Sequence, residues 1–191
     1  MKEIGKLGAI LLLICAIASA LLAFVNTKTI DKIVEQRELA SELARKEVLP
    51  DADKFEKLDD ALLKEFSDKN DKVKEIYVGF SGDTVIGYVV KTAPGGYGGA
   101  VEVISGISTD NSLTGVRVGN HNETPGLGAN ALLPSFYEQY NGMSVEGEVG
   151  VAKANPQENQ IQAIAGATIT SQAVTDGVNM AAEVVKELNK K

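Results

Sequence analysis

Three hydroxyl side chains lie together near the end of the chain, at Thr168, Thr170 and Ser171, after the small residues Gly166 and Ala167. A short strand is predicted over residues 159–163. A helix is predicted from Ser171 onward, because apolar residues recur there at alternating spacings of four and three. These residues are Val174, Val178, Ala181, Val185 and Leu188. The first backbone N–H groups of a helix have no partner and favour a phosphate. Thr170 or Ser171 equally suits a helix N-cap, so the local chemistry leaves a cap and a phosphate-linked group both open.

A second polar stretch covers residues 119–128. His121, Glu123 and Thr124 offer donors and acceptors for a ring system with amide-like edges. Pro125 and two glycines predict a rigid turn with open backbone N–H groups. The sequence pairs no nucleophile with the histidine, so no hydrolytic triad and no catalytic residue is predicted.

A third stretch, residues 92–99, contains four glycines around Tyr97. Such a loop lets its backbone approach a bound partner closely. It lacks the Gly-x-Gly-x-x-Gly spacing before a helix, so a dinucleotide fingerprint is not predicted. A loose surface loop is the other interpretation.

Two of these stretches resemble motifs of one family. Residues 166–170, Gly-Ala-Thr-Ile-Thr, resemble the flavinylation motif of the FMN-binding domain family, with Ala165 where the family has Ser or Thr. Residues 121–128, His-Asn-Glu-Thr-Pro-Gly-Leu-Gly, are similar to a second motif of that family, and similar Gly-Tyr-Gly-Gly loops also occur in it. The family's domain occurs in the G subunit of the Rnf complex and in the C subunit of the sodium-pumping NADH:quinone reductase.

The resemblance implies that Thr170 carries FMN through a phosphoester, attached by a flavin transferase that uses FAD as the donor. Thr168 is the alternative acceptor; at the end of the preceding strand, its side chain is expected to support the phosphate instead. No metal site is predicted. The expected FMN-binding residues are Thr170, Thr168, Ala167, Gly166, His121, Glu123, Thr124, Gly126, Leu127, Gly128 and Tyr97.

Composition narrows the class of protein. The 191 residues are 44% hydrophobic and 24% charged, which allows a packed core in one domain with an attachment segment. A net charge of −7 without a basic stripe argues against nucleic-acid binding. One cysteine, Cys15, and one histidine exclude an internal disulfide and argue against a zinc or iron–sulfur site built by this chain alone.

The N-terminal region predicts a membrane anchor. Residues 7–27 form an uncharged run of 21 residues, long enough as a helix to cross the ~30 Å core of a bilayer. A cleaved signal peptide ending near residues 18–20 is the competing interpretation, but the run is longer than the usual apolar region of such peptides. A short N-terminus is expected to stay cytoplasmic, which places the rest of the chain on the outer, periplasmic side of a bacterial inner membrane.

The predicted fold class is α+β, a twisted, mainly antiparallel sheet with flanking helices on one N-terminal transmembrane helix. Alternating apolar residues predict strands at 73–80, 84–91, 100–107 and 113–118, the first two as a hairpin. Helical spacing predicts a stalk over 29–47, one or two short helices within 51–69, and a helix over 129–140. The predicted domains are a membrane anchor at 1–27, a helical stalk and lead-in at 28–71, and an FMN-binding domain at 72–191.

The resemblance implies electron transfer. The chain is expected to be a covalent flavoprotein subunit of an ion-translocating oxidoreductase, a membrane complex that couples ferredoxin/NAD electron transfer to sodium or proton transport. Its expected partners are the other membrane subunits, a flavin transferase and membrane lipid. Two alternatives stay open: a stand-alone membrane-anchored flavoprotein for extracellular electron transfer, and a non-redox anchor that has lost its flavin.

Overall fold

The computed structural model describes the backbone of residues 2–190 and the side chains of residues 4–190. Met1 and Lys191, which the predicted domain ranges include, lie outside the described residues. The chain divides into two compact units, with the boundary between Glu42 and Leu43. The predicted domain boundaries after residues 27 and 71 stay predictions.

The first unit consists of the part of helix α1 that precedes Leu43. Helix α1 (Lys2–Val48) has 47 residues and contains the predicted transmembrane segment as well as the predicted stalk. Its most apolar window has a mean hydropathy of 2.8 and no buried residue, so its apolar side chains are exposed. Among the described residues it is the one helix long and apolar enough to cross a membrane. It ends two residues before Pro50, because a proline disfavours helical backbone in the residue before it.

The second unit is built on a five-stranded antiparallel sheet whose strands follow one another in chain order. The strands are β1 (Lys54–Lys57), β2 (Val73–Ser81), β3 (Thr84–Thr92), β4 (Val103–Ser108) and β5 (Leu113–Val118). Strands β2 and β3 form the predicted hairpin: Ser81 pairs with Thr84 across a two-residue turn, and Gly82 adopts a φ of 58° there. The predicted α+β class with a mainly antiparallel sheet is confirmed.

The prediction of one or two short helices within residues 51–69 is confirmed by one helix, and a strand that was not predicted precedes it. Residues 54–57 form β1, which pairs with residues 77–80 of β2 and so completes the edge of the sheet. Helix α2 (Asp60–Lys69) begins only after Asp59, whose side chain accepts a hydrogen bond of 2.8 Å from the Ala61 N–H. Pairing with an available strand outweighs the weak local helical pattern.

Residues 129–140 do not form the continuous helix that was predicted. A 3-10 turn (Gly128–Leu132), helix α3 (Pro134–Tyr137) and a second 3-10 turn (Glu138–Tyr140) follow one another. Leu133 is extended, with φ −82° and ψ 141°, because helical backbone before a proline is sterically disfavoured. Pro134 does begin a helix, as predicted.

The last elements place the hydroxyl cluster on the sheet. Strand β6 (Gly150–Ala152) pairs in parallel with β7 (Gln160–Gln162), and a short loop then leads into helix α4 (Thr168–Leu188). Helix α4 packs against β3 and β4, and its predicted apolar face is buried in the main core. The other face of the sheet is covered by Val48 and Leu49, which pack with Val89 and Ile104. The first turn of α4 is therefore held by a packed helix on a rigid sheet.

Candidate functional site

A cleft of about 460 Å³ lies at the start of α4. Its volume falls within the ~300–1,000 Å³ typical of small-molecule sites. It is lined by Tyr97, Thr124, Leu127, Gly166, Ala167, Thr168, Ile169 and Thr170. The fold thus brings together the three stretches that the sequence singles out: the glycine-rich loop, the 119–128 stretch and the hydroxyl cluster.

Helix α4 begins earlier than predicted. Its first residue is Thr168 and its N-cap is Ala167, for which no side-chain cap is found among the described residues. Ser171 is therefore not the N-cap: its hydroxyl accepts a bond of 2.9 Å from the Ile164 N–H and donates one of 3.0 Å to the Ala167 carbonyl oxygen. Gly166 turns the chain into the helix with a φ of 76°, which is costly for other residues. Within the described residues, the N-cap therefore offers the N–H groups of the first turn no side-chain acceptor.

Thr170 is the third residue of α4, inside the helix and not at its exposed mouth as predicted. It is 1% exposed and is the most buried residue that lines the cleft. Its Oγ1 donates a hydrogen bond of 2.6 Å to Oε2 of Glu123. The prediction that Thr168 lies at the end of a strand is also wrong, because β7 ends at Gln162 and Thr168 is an exposed residue of the helix.

Glu123 ties the three stretches together. It is 6% exposed, and its Oε1 accepts a bond of 2.9 Å from the Gly98 N–H. Its own N–H donates to Nδ1 of His121 at 3.1 Å. Burial alone raises the pKa of Glu123, but the bonds from Thr170 and from the Gly98 and Tyr97 backbone outweigh it and hold that pKa below its ordinary value. The carboxylate is therefore ionised at neutral pH.

Gly128 allows this close arrangement. A Cβ at that position would lie 2.6 Å from Thr170 Oγ1 and still nearer to Glu123 Oε2. Any larger residue would push the threonine and the carboxylate apart. Gly128, in the 119–128 stretch, is thus required because it packs against the hydrogen bond between Thr170 and Glu123.

The predicted site residues occupy different places around the cleft. Seven of them line it: Tyr97, Thr124, Leu127, Gly166, Ala167, Thr168 and Thr170. Glu123 and Gly128 contact Thr170 without lining the cleft, and His121 holds the Glu123 backbone. Gly126 lies outside the lining, in a turn with a φ of 75°, and its carbonyl oxygen accepts a bond of 3.1 Å from Asn130.

Two residues of the arrangement were not predicted from the sequence. Ile169 lines the cleft and is 57% exposed, which is unusual for an isoleucine. A predicted helix start at Thr168, three residues earlier, would have shown Ile169 as an apolar residue directed away from the core. Gly98 is the donor to Glu123; the glycine-rich loop was recognised, but no local pattern identifies which of its N–H groups meets a carboxylate.

Comparison with known proteins identifies the family. The FMN-binding domain matches residues 96–183, which include every residue of the cleft. The chain is 42% identical over 197 residues to the G subunit of the Na⁺-translocating ferredoxin:NAD⁺ oxidoreductase complex of Acetobacterium woodii, covering 99% of this chain and 95% of that protein. This chain belongs to the family of G subunits of ion-translocating oxidoreductase complexes. The predicted family is therefore confirmed.

Another member of the G-subunit family agrees with this assignment, and one solved structure shares the fold. The chain is 37% identical over 186 residues to the G subunit of the ion-translocating oxidoreductase complex of Methanosarcina acetivorans, covering 96% of this chain and 95% of that protein. Its fold is similar to the crystal structure of Shewanella oneidensis NqrC, with a TM-score of 0.52, 19% identity and coverage of 61% of this chain and 60% of that one.

Proposed function

We propose that this G subunit is an electron carrier that holds FMN covalently on Thr170, within a membrane complex that couples ferredoxin/NAD electron transfer to sodium or proton transport. The observation that carries the proposal is the position of Thr170. Its side chain lines a ligand-sized cleft, in an uncapped helix turn, inside the region that matches the FMN-binding domain.

The residues of the cleft fit the two chemically different parts of FMN. Tyr97, Leu127 and Ile169 are all exposed and offer apolar surface to a planar ring. The open N–H groups of the first turn of α4 suit the phosphate, with an interaction of about 0.3–1 kcal/mol when exposed. Thr168 adds an exposed hydroxyl in the same turn. Bound FMN supplies one-electron and two-electron transfer, and the chain holds it in place.

A covalent link explains why weak contacts with the phosphate suffice. A phosphate interaction of about 1 kcal/mol changes an equilibrium by less than tenfold, which orients a cofactor but does not retain it. Attachment to a residue that is buried on a packed helix keeps the cofactor in one place. We propose that a flavin transferase attaches it, with FAD as the donor.

The membrane role rests on α1 and on the relatives. The exposed apolar side chains of α1 fit contact with lipid in a single pass. The proposal has the cleft on the outer, periplasmic side of the membrane. The Acetobacterium woodii relative is named for sodium, whereas the Clostridium ljungdahlii relative, 41% identical over 71% of this chain, is named for protons. The proposed complex therefore transports either sodium ions or protons.

The experiment is co-expression of the full-length chain with a flavin transferase, followed by denaturing electrophoresis and in-gel fluorescence. A fluorescent band at the mass of the chain is expected only when the transferase is present. A dark band under both conditions would contradict covalent flavin binding. Native extraction in mild detergent tests the complex separately, since recovery of the chain alone would favour the stand-alone flavoprotein.

A further inference from the structure

The contact between Thr170 and Glu123 is more than a structural hydrogen bond if Thr170 accepts FMN. Glu123 Oε2 lies 2.6 Å from Thr170 Oγ1, the atom that must form the new bond. This distance falls within the ~2.6–3.2 Å expected between a general base and the group that it deprotonates. Any role of Glu123 in attachment rests on the proposed function, in which Thr170 carries the FMN.

A threonine hydroxyl is a weak nucleophile until a base takes its proton. Two neighbouring polar side chains make other hydrogen bonds. His121 Nδ1 accepts the Glu123 N–H, and the Ser171 hydroxyl donates to the Ala167 carbonyl oxygen. In the described structure the Thr170 hydroxyl donates to the carboxylate of Glu123.

The surroundings keep that carboxylate charged and directed at Thr170. The Gly98 N–H holds Oε1 at 2.9 Å, which leaves Oε2 for the hydroxyl. The groups that act on the Glu123 carboxylate are the Thr170 hydroxyl, the Gly98 and Tyr97 backbone N–H groups and the His121 side chain. Among the described residues, Glu123 is the carboxylate that is hydrogen-bonded to the Thr170 hydroxyl, so it is the candidate base.

We propose that Glu123 is a catalytic residue of FMN attachment, supplied by the acceptor chain itself. Its carboxylate takes the Thr170 hydroxyl proton as Oγ1 bonds to the phosphorus on the riboflavin side of FAD. The bond from that phosphorus to the bridging pyrophosphate oxygen breaks, and AMP leaves with that oxygen. The phosphoester keeps one negative charge and Glu123 becomes a neutral carboxyl group. No electrons are exchanged.

Attachment also changes the environment of Glu123. The Thr170 oxygen no longer carries a hydrogen to donate, and a negatively charged phosphoester lies beside the buried carboxyl group. Loss of a donor and a nearby like charge both favour the protonated form. The pKa of Glu123 is therefore higher in the flavinylated chain than in the unmodified chain.

The test is single-turnover attachment to the full-length chain in detergent, with purified transferase and FAD, between pH 6 and pH 8.5. Wild type is compared with Glu123→Gln and with Glu102→Gln, a matched control that removes a carboxylate from a neighbouring loop. Attachment to Glu123→Gln is expected to be about 10²–10⁴-fold slower, the usual range for a general base. Attachment to Glu102→Gln is expected at the wild-type rate.

The pH dependence separates a base from a structural support. Without Glu123, hydroxide must remove the proton, so the ratio of wild-type to Glu123→Gln rates is expected to fall about tenfold for each unit of rising pH. A constant ratio across the range, or equal rates, would overturn the proposal. Wild type that carries no FMN on Thr170 would instead contradict the proposed function itself.

A second measurement covers the case in which Glu123→Gln does not fold. Infrared spectra of the wild-type chain before and after attachment report the carboxyl band of Glu123, assigned by its shift in Glu123→Asp. The protonated band is expected to persist to higher pH in the flavinylated chain. An unchanged titration would overturn the proposal.

Discussion

Replacing Thr170 by valine removes a hydroxyl and keeps the shape of the side chain. In the unmodified chain this hydroxyl is a buried donor to the Glu123 carboxylate at 2.6 Å. A hydrogen bond to a charged group contributes about 1.5–3 kcal/mol. For a unit of this size each kcal/mol corresponds to ~2–4 °C, so Thr170→Val is expected to lower the Tm by about 3–12 °C at pH 7.

The pH dependence of that loss identifies its cause. The folded-state pKa of Glu123 is below its ordinary value of 4.5, so its contribution to stability is present above pH 4.5 and is lost as the pH falls through the lowered pKa. The deficit of Thr170→Val is therefore expected to be largest near neutral pH and to shrink at acid pH.

Thr175→Val is the matched control on the same helix. Thr175 is also fully buried, but its hydroxyl bonds neutral partners, the Tyr140 hydroxyl at 2.7 Å and the Ser171 carbonyl oxygen at 3.0 Å. The loss of stability caused by Thr175→Val is expected to be the same at pH 4 as at pH 7. The Tm of wild type and of both variants is measured by thermal denaturation of the unmodified full-length chains in detergent, followed by circular dichroism. A deficit of Thr170→Val that stays constant from pH 7 to pH 3 would refute the reasoning.

Two other substitutions test the arrangement around the cleft. Gly128→Ala is expected to lower the free energy of unfolding by about 1–3 kcal/mol, because its Cβ would lie 2.6 Å from Thr170 Oγ1. Gly95→Ala is the control: its Cβ meets nothing within 4 Å, so the free energy of unfolding should change by less than ~0.5 kcal/mol. Equal effects of the two substitutions would contradict the packing argument. His121→Ala removes the acceptor of the Glu123 N–H, a neutral bond of ~0.5–1.5 kcal/mol. If that bond differed fully between the oxidised and reduced flavin, the potential would shift by about 30 mV for two electrons, so redox titration of the flavinylated chain is expected to show a shift of up to about 30 mV with attachment intact. An unchanged potential would mean that this loop does not act on the cofactor.

Features that depend on short-range patterns were predictable from the sequence. The hairpin at Gly82 and the buried face of α4 follow from local residue types and spacing. Strand β1 was missed because its formation depends on the free edge of β2, which no local pattern reveals.

The start of α4 was misplaced for a related reason. Hydroxyl residues commonly cap helices, but the Ser171 hydroxyl here binds the preceding loop and the Thr170 hydroxyl binds Glu123. That second contact joins residues 47 positions apart in the sequence. The resemblance to the family implied that both motifs serve one cofactor, whereas the contact between them results from the fold.

The central claim is that FMN is attached to Thr170. Peptide mass spectrometry after co-expression with a flavin transferase tests it directly, on wild type, Thr170→Val and Thr168→Val. Thr168 is an exposed hydroxyl in the same helix turn and so is the appropriate comparison. The account predicts the FMN mass on the peptide that contains residues 166–171 in wild type and Thr168→Val, and its absence from Thr170→Val. An FMN mass that remains on the Thr170→Val chain would contradict the account.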